Sequence, residues 1–137
     1  VLNFTQRDRQ QIDDVRLLLE TRALELARPR ATPEDLARLR ELKAKLIALF
    51  LDGQVPARDT VEMAFHGTVW ELSGNPWLVR SLRRVMVPYF IYSHLFRMQR
   101  PDLTLDLFAE QHQDFIDYLS GAGRKTALEC VRYHLGL

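Results

Sequence analysis

Three of the four histidines in this chain fall on apolar helical faces, and one has a carboxylate a single turn before it. They are His66, preceded by Glu62, then His112 and His134, separated by steps of 4, 46 and 22 residues. Imidazole and carboxylate are both ligands of first-row transition metals. Positions i and i+4 of a helix project side by side, so Glu62 and His66 can chelate one ion. His112 continues the apolar line Leu105, Phe108, Phe115 and Leu119, and His134 continues Ala127 and Val131. Both therefore point inward. Each alone reads as a core histidine bonded to a carbonyl or water. Three buried imidazoles each need partners for two ring nitrogens, and a shared metal meets that need at one point. Three histidines and one carboxylate leave one or two positions open on a five- or six-coordinate ion. An open position takes water, substrate or a carboxylate effector. His94, between Ser93 and Leu95, reads as a surface or pocket-edge residue.

Other chemistries lack their motifs. A di-iron bundle wants two Glu-x-x-His repeats and further glutamates, which this chain does not have. Nor is there a His-Glu-x-x-His zincin motif or a nucleophile elbow. Arg16 lies on the line Ile12, Leu19, Ala23 and Leu26, where a guanidinium must pair with an acid, reach water or fork onto a ligand carboxylate. Tyr89 and Tyr92 share a face with Leu78, Leu82, Val85 and Phe96 and must bond their hydroxyls. They line a small polar pocket or serve the core. Trp70 and Trp77 read as packing. Arg80, Arg83 and Arg84 read as a solvated helix face.

The elements that position these groups are all helical. An apolar stripe with helical period (Ile12, Val15, Leu19, Ala23, Leu26) predicts a helix over 8–28, ended by Pro29. Thr32-Pro33-Glu34-Asp35 is a helix start: N-cap threonine, proline at the first position, acids in the first turn. That helix runs to Asp52 and closes at Gly53. Further helices are predicted over 57–72, from Asn75-Pro76 to Arg100 with a kink at Pro88, over 103–119, and over 124–135. No segment alternates like a strand. Short connectors make neighbours antiparallel, so the expectation is an all-α, six-helix antiparallel bundle formed by residues 1–137 as one domain.

Composition fits this. The chain has 137 residues, 47% hydrophobic, with 19 Lys+Arg against 18 Asp+Glu. That length makes one domain. The near-neutral balance, with no basic run, argues against a nucleic-acid surface. A lone cysteine, Cys130, excludes an internal disulfide and fits a reducing, cytoplasmic setting. No stretch reaches the roughly 18 apolar residues of a membrane span, so no membrane partner is expected.

Four stretches now carry a resemblance: DDVRLLLETRALELA, EMAFHGTVWELSGNPWL, EQHQDFIDYL and ALECVRYHLGL. Together they resemble the FCD domain, the C-terminal effector-binding domain of FadR-subfamily GntR transcription regulators. Six helices resemble its VanR-like subgroup. The resemblance implies a metal site of a carboxylate four residues before a histidine, then two later histidines. Those roles fall on Glu62, His66, His112 and His134, with Glu62 where the family usually has Asp. The family's helix-one arginine falls on Arg16. Tyr89 and Tyr92 stand where many members carry basic residues, which implies an effector that is less anionic or is held mainly by the metal and Arg16.

The resemblance further implies a homodimer that senses a small carboxylate. Operator DNA would be bound only through an N-terminal winged helix-turn-helix, which is expected to lie outside this chain. The expected cofactor is a divalent transition metal: zinc first, with nickel, manganese, iron or copper also suited to such ligands. A sensor, not an enzyme, is the leading expectation, because no spare Asp, Glu or His is evident on the core faces to act as a base. Two other readings stand beside it. One is a mononuclear metal enzyme acting on a small carboxylate, the other a metal-free helical interaction module.

Overall fold

The computed structural model describes residues 4–96 and 103–137, and the side chains of all of these but 92–96. Among the described residues there are six α-helices and no strand. They are α1 (Gln6–Ala27), α2 (Pro33–Leu51), α3 (Val55–Leu72), α4 (Pro76–Phe96), α5 (Leu105–Ser120) and α6 (Ala127–Leu135), with a short 3-10 turn at Arg28–Arg30. None is long and apolar enough to cross a membrane.

Threonine starts four of the six. Thr5, Thr32 and Thr126 each form a reciprocal capping box with Asp8, Asp35 and Glu129. Thr104 accepts from the Leu107 amide at 3.2 Å. Each cap satisfies amides that a helix start leaves bare. Asn75 Oδ1 does the same for α4, accepting from the Trp77 and Leu78 amides. Two of these caps shift the predicted starts: α1 begins earlier, at Gln6, and α6 later, at Ala127. Proline does not end α4, because Pro88 lies inside a helix that continues to Phe96. The predicted end at Arg100 falls outside the described residues. Gly74, in the α3–α4 turn, has φ +68°, and a Cβ there would meet the Arg30 guanidinium at 2.6 Å.

α1 packs on α3, α4 and α6, while α2 packs on α3 and α5, and α5 on α6. The core has two parts. The larger joins Leu24, Leu39, Leu46, Phe65, Phe115, Ile116 and Val131. The smaller joins Ala23, Trp70, Leu78, Leu82 and Met86.

The face that α1 turns inward differs from its apolar stripe. Its buried residues are Asp13, Arg16, Glu20, Ala23, Leu24 and Ala27, while Val15 is 41% exposed. The expectation that no spare acid faces the core is therefore wrong. Asp13 and Glu20 both do, and Arg16 between them makes their burial tolerable. Trp77 also departs from its reading as packing: it is 73% exposed, with the Arg80 guanidinium 4.4 Å from its ring centroid.

Leu46 is fully buried and Leu18 is 73% exposed. Leu46→Ala is expected to cost about 2–5 kcal/mol in chemical denaturation. Leu18→Ala should stay within about 0.5 kcal/mol of the parent.

Candidate metal centre

α3, α5 and α6 bring Glu62, His66, His112 and His134 together. Each offers one ligand atom, and these atoms lie within 4.8 Å of one another. α6 is fixed to α5 by a buried amide: Gln111 Nε2 donates to the Tyr133 carbonyl at 2.9 Å. The Tyr133 hydroxyl reaches Glu110 at 3.1 Å. His134 is thereby set beside the other two rings, its centroid 4.6 Å from that of His66 and 5.1 Å from that of His112.

Phenylalanines box the cluster. Phe65 stands edge-on to His112 at 5.0 Å, and Phe115 edge-on to His66 and to His134, each at 5.4 Å. Phe108 lies 4.6 Å from the His112 ring. The rings limit water around the imidazoles and restrict how they rotate. His66 and His112 are buried, while Glu62 and His134 are half-buried. The Glu62 side chain keeps 15% exposure.

The hydrogen bonds assign tautomers. His112 Nδ1–H donates to the Phe108 carbonyl at 2.7 Å, and Nε2 lies 2.9 Å from Glu62 Oε2. His66 Nε2 approaches the same oxygen at 3.2 Å without hydrogen-bond geometry, and neither of its ring nitrogens has a hydrogen-bond partner. Two ring nitrogens on two helices thus converge on one oxygen.

Charge follows from this geometry. Burial pushes the Glu62 carboxyl up, but the charge and hydrogen bond of His112, then the contact with His66, outweigh it and hold Glu62 well below its ordinary range. Burial lowers His112, yet Glu62 reverses this and raises it above 6.5. Burial, then repulsion from His66 and His112, holds His134 well below 6.5, so its imidazole is neutral. The contact with Glu62 therefore favours a proton on His112 Nε2, where a metal ligand would have its lone pair.

These residues fit a transition metal. The donor set is three nitrogens and one oxygen, and buried ring nitrogens without partners are costly to leave so. An N–H of His112 already bonded to a carbonyl is the arrangement that orients a ligating histidine.

The other expected residues are placed as follows. Arg16 is 4% exposed. Its Nε donates to Glu20 Oε1 at 2.9 Å and its Nη1 to Asp13 Oδ1 at 3.4 Å. Its guanidinium lies 5.0 Å from the half-buried Tyr89 ring centroid. The side chains of Tyr92 and His94 lie outside the described residues. Glu20 was missed: its Oε2 is 3.7 Å from His66 Nδ1. The spacing Asp13, Arg16, Glu20 (i, i+3, i+7) carries the signal, since acids at such offsets pair with an arginine along one helical face.

Among known proteins, the FCD domain family matches the chain over residues 11–137. No curated protein and no solved structure matches it.

The raised His112 value gives a test. Below 6.5 the pair with Glu62 contributes its full stability, which is lost as pH rises through the raised folded value. Metal-free protein is expected to lose thermal stability over that range. Nε2 must give up its proton to become a ligand, so apparent zinc affinity should rise over the same range, and saturating zinc should remove the loss. Melting curves against pH, with and without zinc, check both.

Proposed function

Because the chain belongs to the FCD domain family, a regulatory effector-binding domain of GntR-type regulators, we propose that it is a sensor holding a divalent metal and a small carboxylate. Glu62, His66, His112 and His134 hold the metal, with zinc the first candidate. One observation carries this reading: four ligand-type atoms from three helices lie within 4.8 Å of one another in an aromatic box. A metal there supplies a Lewis-acid anchor for a ligand oxygen. The effector enters at the half-buried Glu62 side.

Arg16 provides the counter-charge for the effector, over the Tyr89 ring, with Tyr92 on the same helix as Tyr89. Arg16 Nε and Nη1 are taken by acids. By the family likeness the effector is a small carboxylate, such as a hydroxy acid or sugar acid, whose charge reaches both metal and arginine. Residues 1–137 act as one regulatory unit of a cytoplasmic regulator, and DNA is read by a winged helix-turn-helix of the same protein. Signalling requires the ligand to favour one helix arrangement over another, not merely to bind tightly.

A homodimer completes the reading. Val15 and Leu18 on α1 and Val87 and Ile91 on α4 are exposed apolar residues. Between the two helices runs a groove of about 430 Å³ lined by Phe4, Ile12, Val15, Val85 and Pro88. The enzyme reading is weaker. The spare acid that catalysis would need as a base, Glu20, is committed to Arg16.

Elemental analysis of the purified protein is expected to find about one metal per chain, the single-site stoichiometry of a mononuclear centre. His112→Ala should lose both the metal and the thermal shift given by small carboxylates, while helix content by circular dichroism stays near that of the parent. If the variant keeps stoichiometric metal, the site is misassigned. Sedimentation should show a dimer that Leu18→Glu with Ile91→Glu converts to monomer.

A further inference from the structure

Behind the ligand cluster stands a second carboxylate. Glu20 is 2% exposed. Its Oε1 accepts from Arg16 Nε at 2.9 Å. Its Oε2 lies 3.7 Å from His66 Nδ1, a buried nitrogen with no hydrogen bond. The distance exceeds a hydrogen bond, but a few tenths of an ångström of side-chain movement would close it. The other ring nitrogen of His66 points the opposite way, 3.2 Å from Glu62 Oε2. The ring is thus strung between two carboxylates, one on the ligand side and one behind.

We propose that Glu20 is a positioning residue for His66. It accepts a hydrogen bond from Nδ1–H when Nε2 serves as a metal ligand, and Arg16 holds it in place to do so. The inference rests on the metal reading above. The physical reason is that an imidazole offers a lone pair to a metal at only one nitrogen while the other carries the proton. An acceptor behind the ring fixes which is which and makes the ligand more basic.

Glu20 is suited to this because it is not free to turn away. Arg16 binds its Oε1 and is itself held by Asp13 at 3.4 Å and by the Tyr89 ring. The four-residue ligand set closes without Glu20, so its part is behind the ligand and not on the ion. A consequence follows for sensing. Arg16 and His66 share one carboxylate, so a ligand that draws on Arg16 also alters the acceptor behind His66.

Long-range 1H–15N spectra of zinc-loaded protein test this directly. The expected result is a His66 with its proton on Nδ1, slow to exchange and shifted downfield by the carboxylate. A His66 with Nδ1 unprotonated, or with an Nδ1 proton exchanging as fast as one exposed to water, overturns the proposal without any variant. Glu20→Gln removes the charge at nearly constant shape. Chelator competition should show zinc affinity reduced about 10–100-fold, with the His66 Nδ1 proton moved upfield and that of His112 unchanged. Zinc affinity within about threefold of the parent, with the His66 signal unmoved, overturns it. A parent protein that binds no zinc, nickel or manganese overturns the metal reading and this inference together. A metal-binding parent with an indifferent Glu20→Gln overturns only this one.

Discussion

One carboxylate oxygen organises the centre of this molecule. Glu62 Oε2 is approached by ring nitrogens of His66 and His112 at 3.2 and 2.9 Å, and His134 lies against both rings. Three imidazoles cannot all be charged in so small a space, and a lone buried carboxylate is unfavourable. The arrangement eases this by favouring a proton on His112 against the acid and disfavouring one on His134. A transition metal offers the same cluster another solution, since it replaces a proton with a cation that several nitrogens can share. At such a site proton and metal would compete for His112 Nε2.

The rest of the bundle is arranged so that this can occur in a core. Phe65, Phe108 and Phe115 surround the imidazoles with rings set mostly edge-on, a favourable orientation for aromatic pairs. Behind them α1 contributes not an apolar wall but a charged rail, Asp13, Arg16 and Glu20. Burying two acids and an arginine is tolerable only because each is paired. Removal of one would strand the others, which makes such groups expensive to break and weak as evidence of stability.

The match to the FCD domain family runs over residues 11–137 and so covers all four residues of the cluster. Within it the Glu62 side chain reaches both imidazoles.

The helices themselves were legible in the sequence, because they depend on short-range chemistry. Thr32-Pro33 and Asn75-Pro76 mark starts, and the apolar lines through His112 and His134 gave their inward direction by period alone. The four candidate ligands were legible for the same reason, each being a polar residue on an apolar face. What sequence could not settle was the rotation of α1. Its apolar stripe and its charged face differ by a fraction of a turn, and local period cannot choose between them. Only packing against α3, α4 and α6 turned Asp13 and Glu20 inward beside Arg16 and left Val15 and Leu18 outside. The link from Arg16 through Glu20 to His66 joins α1 to α3 through residues, Glu20 and His66, that lie 46 positions apart. Such a contact has no local signature, and its existence was decided by the tertiary structure.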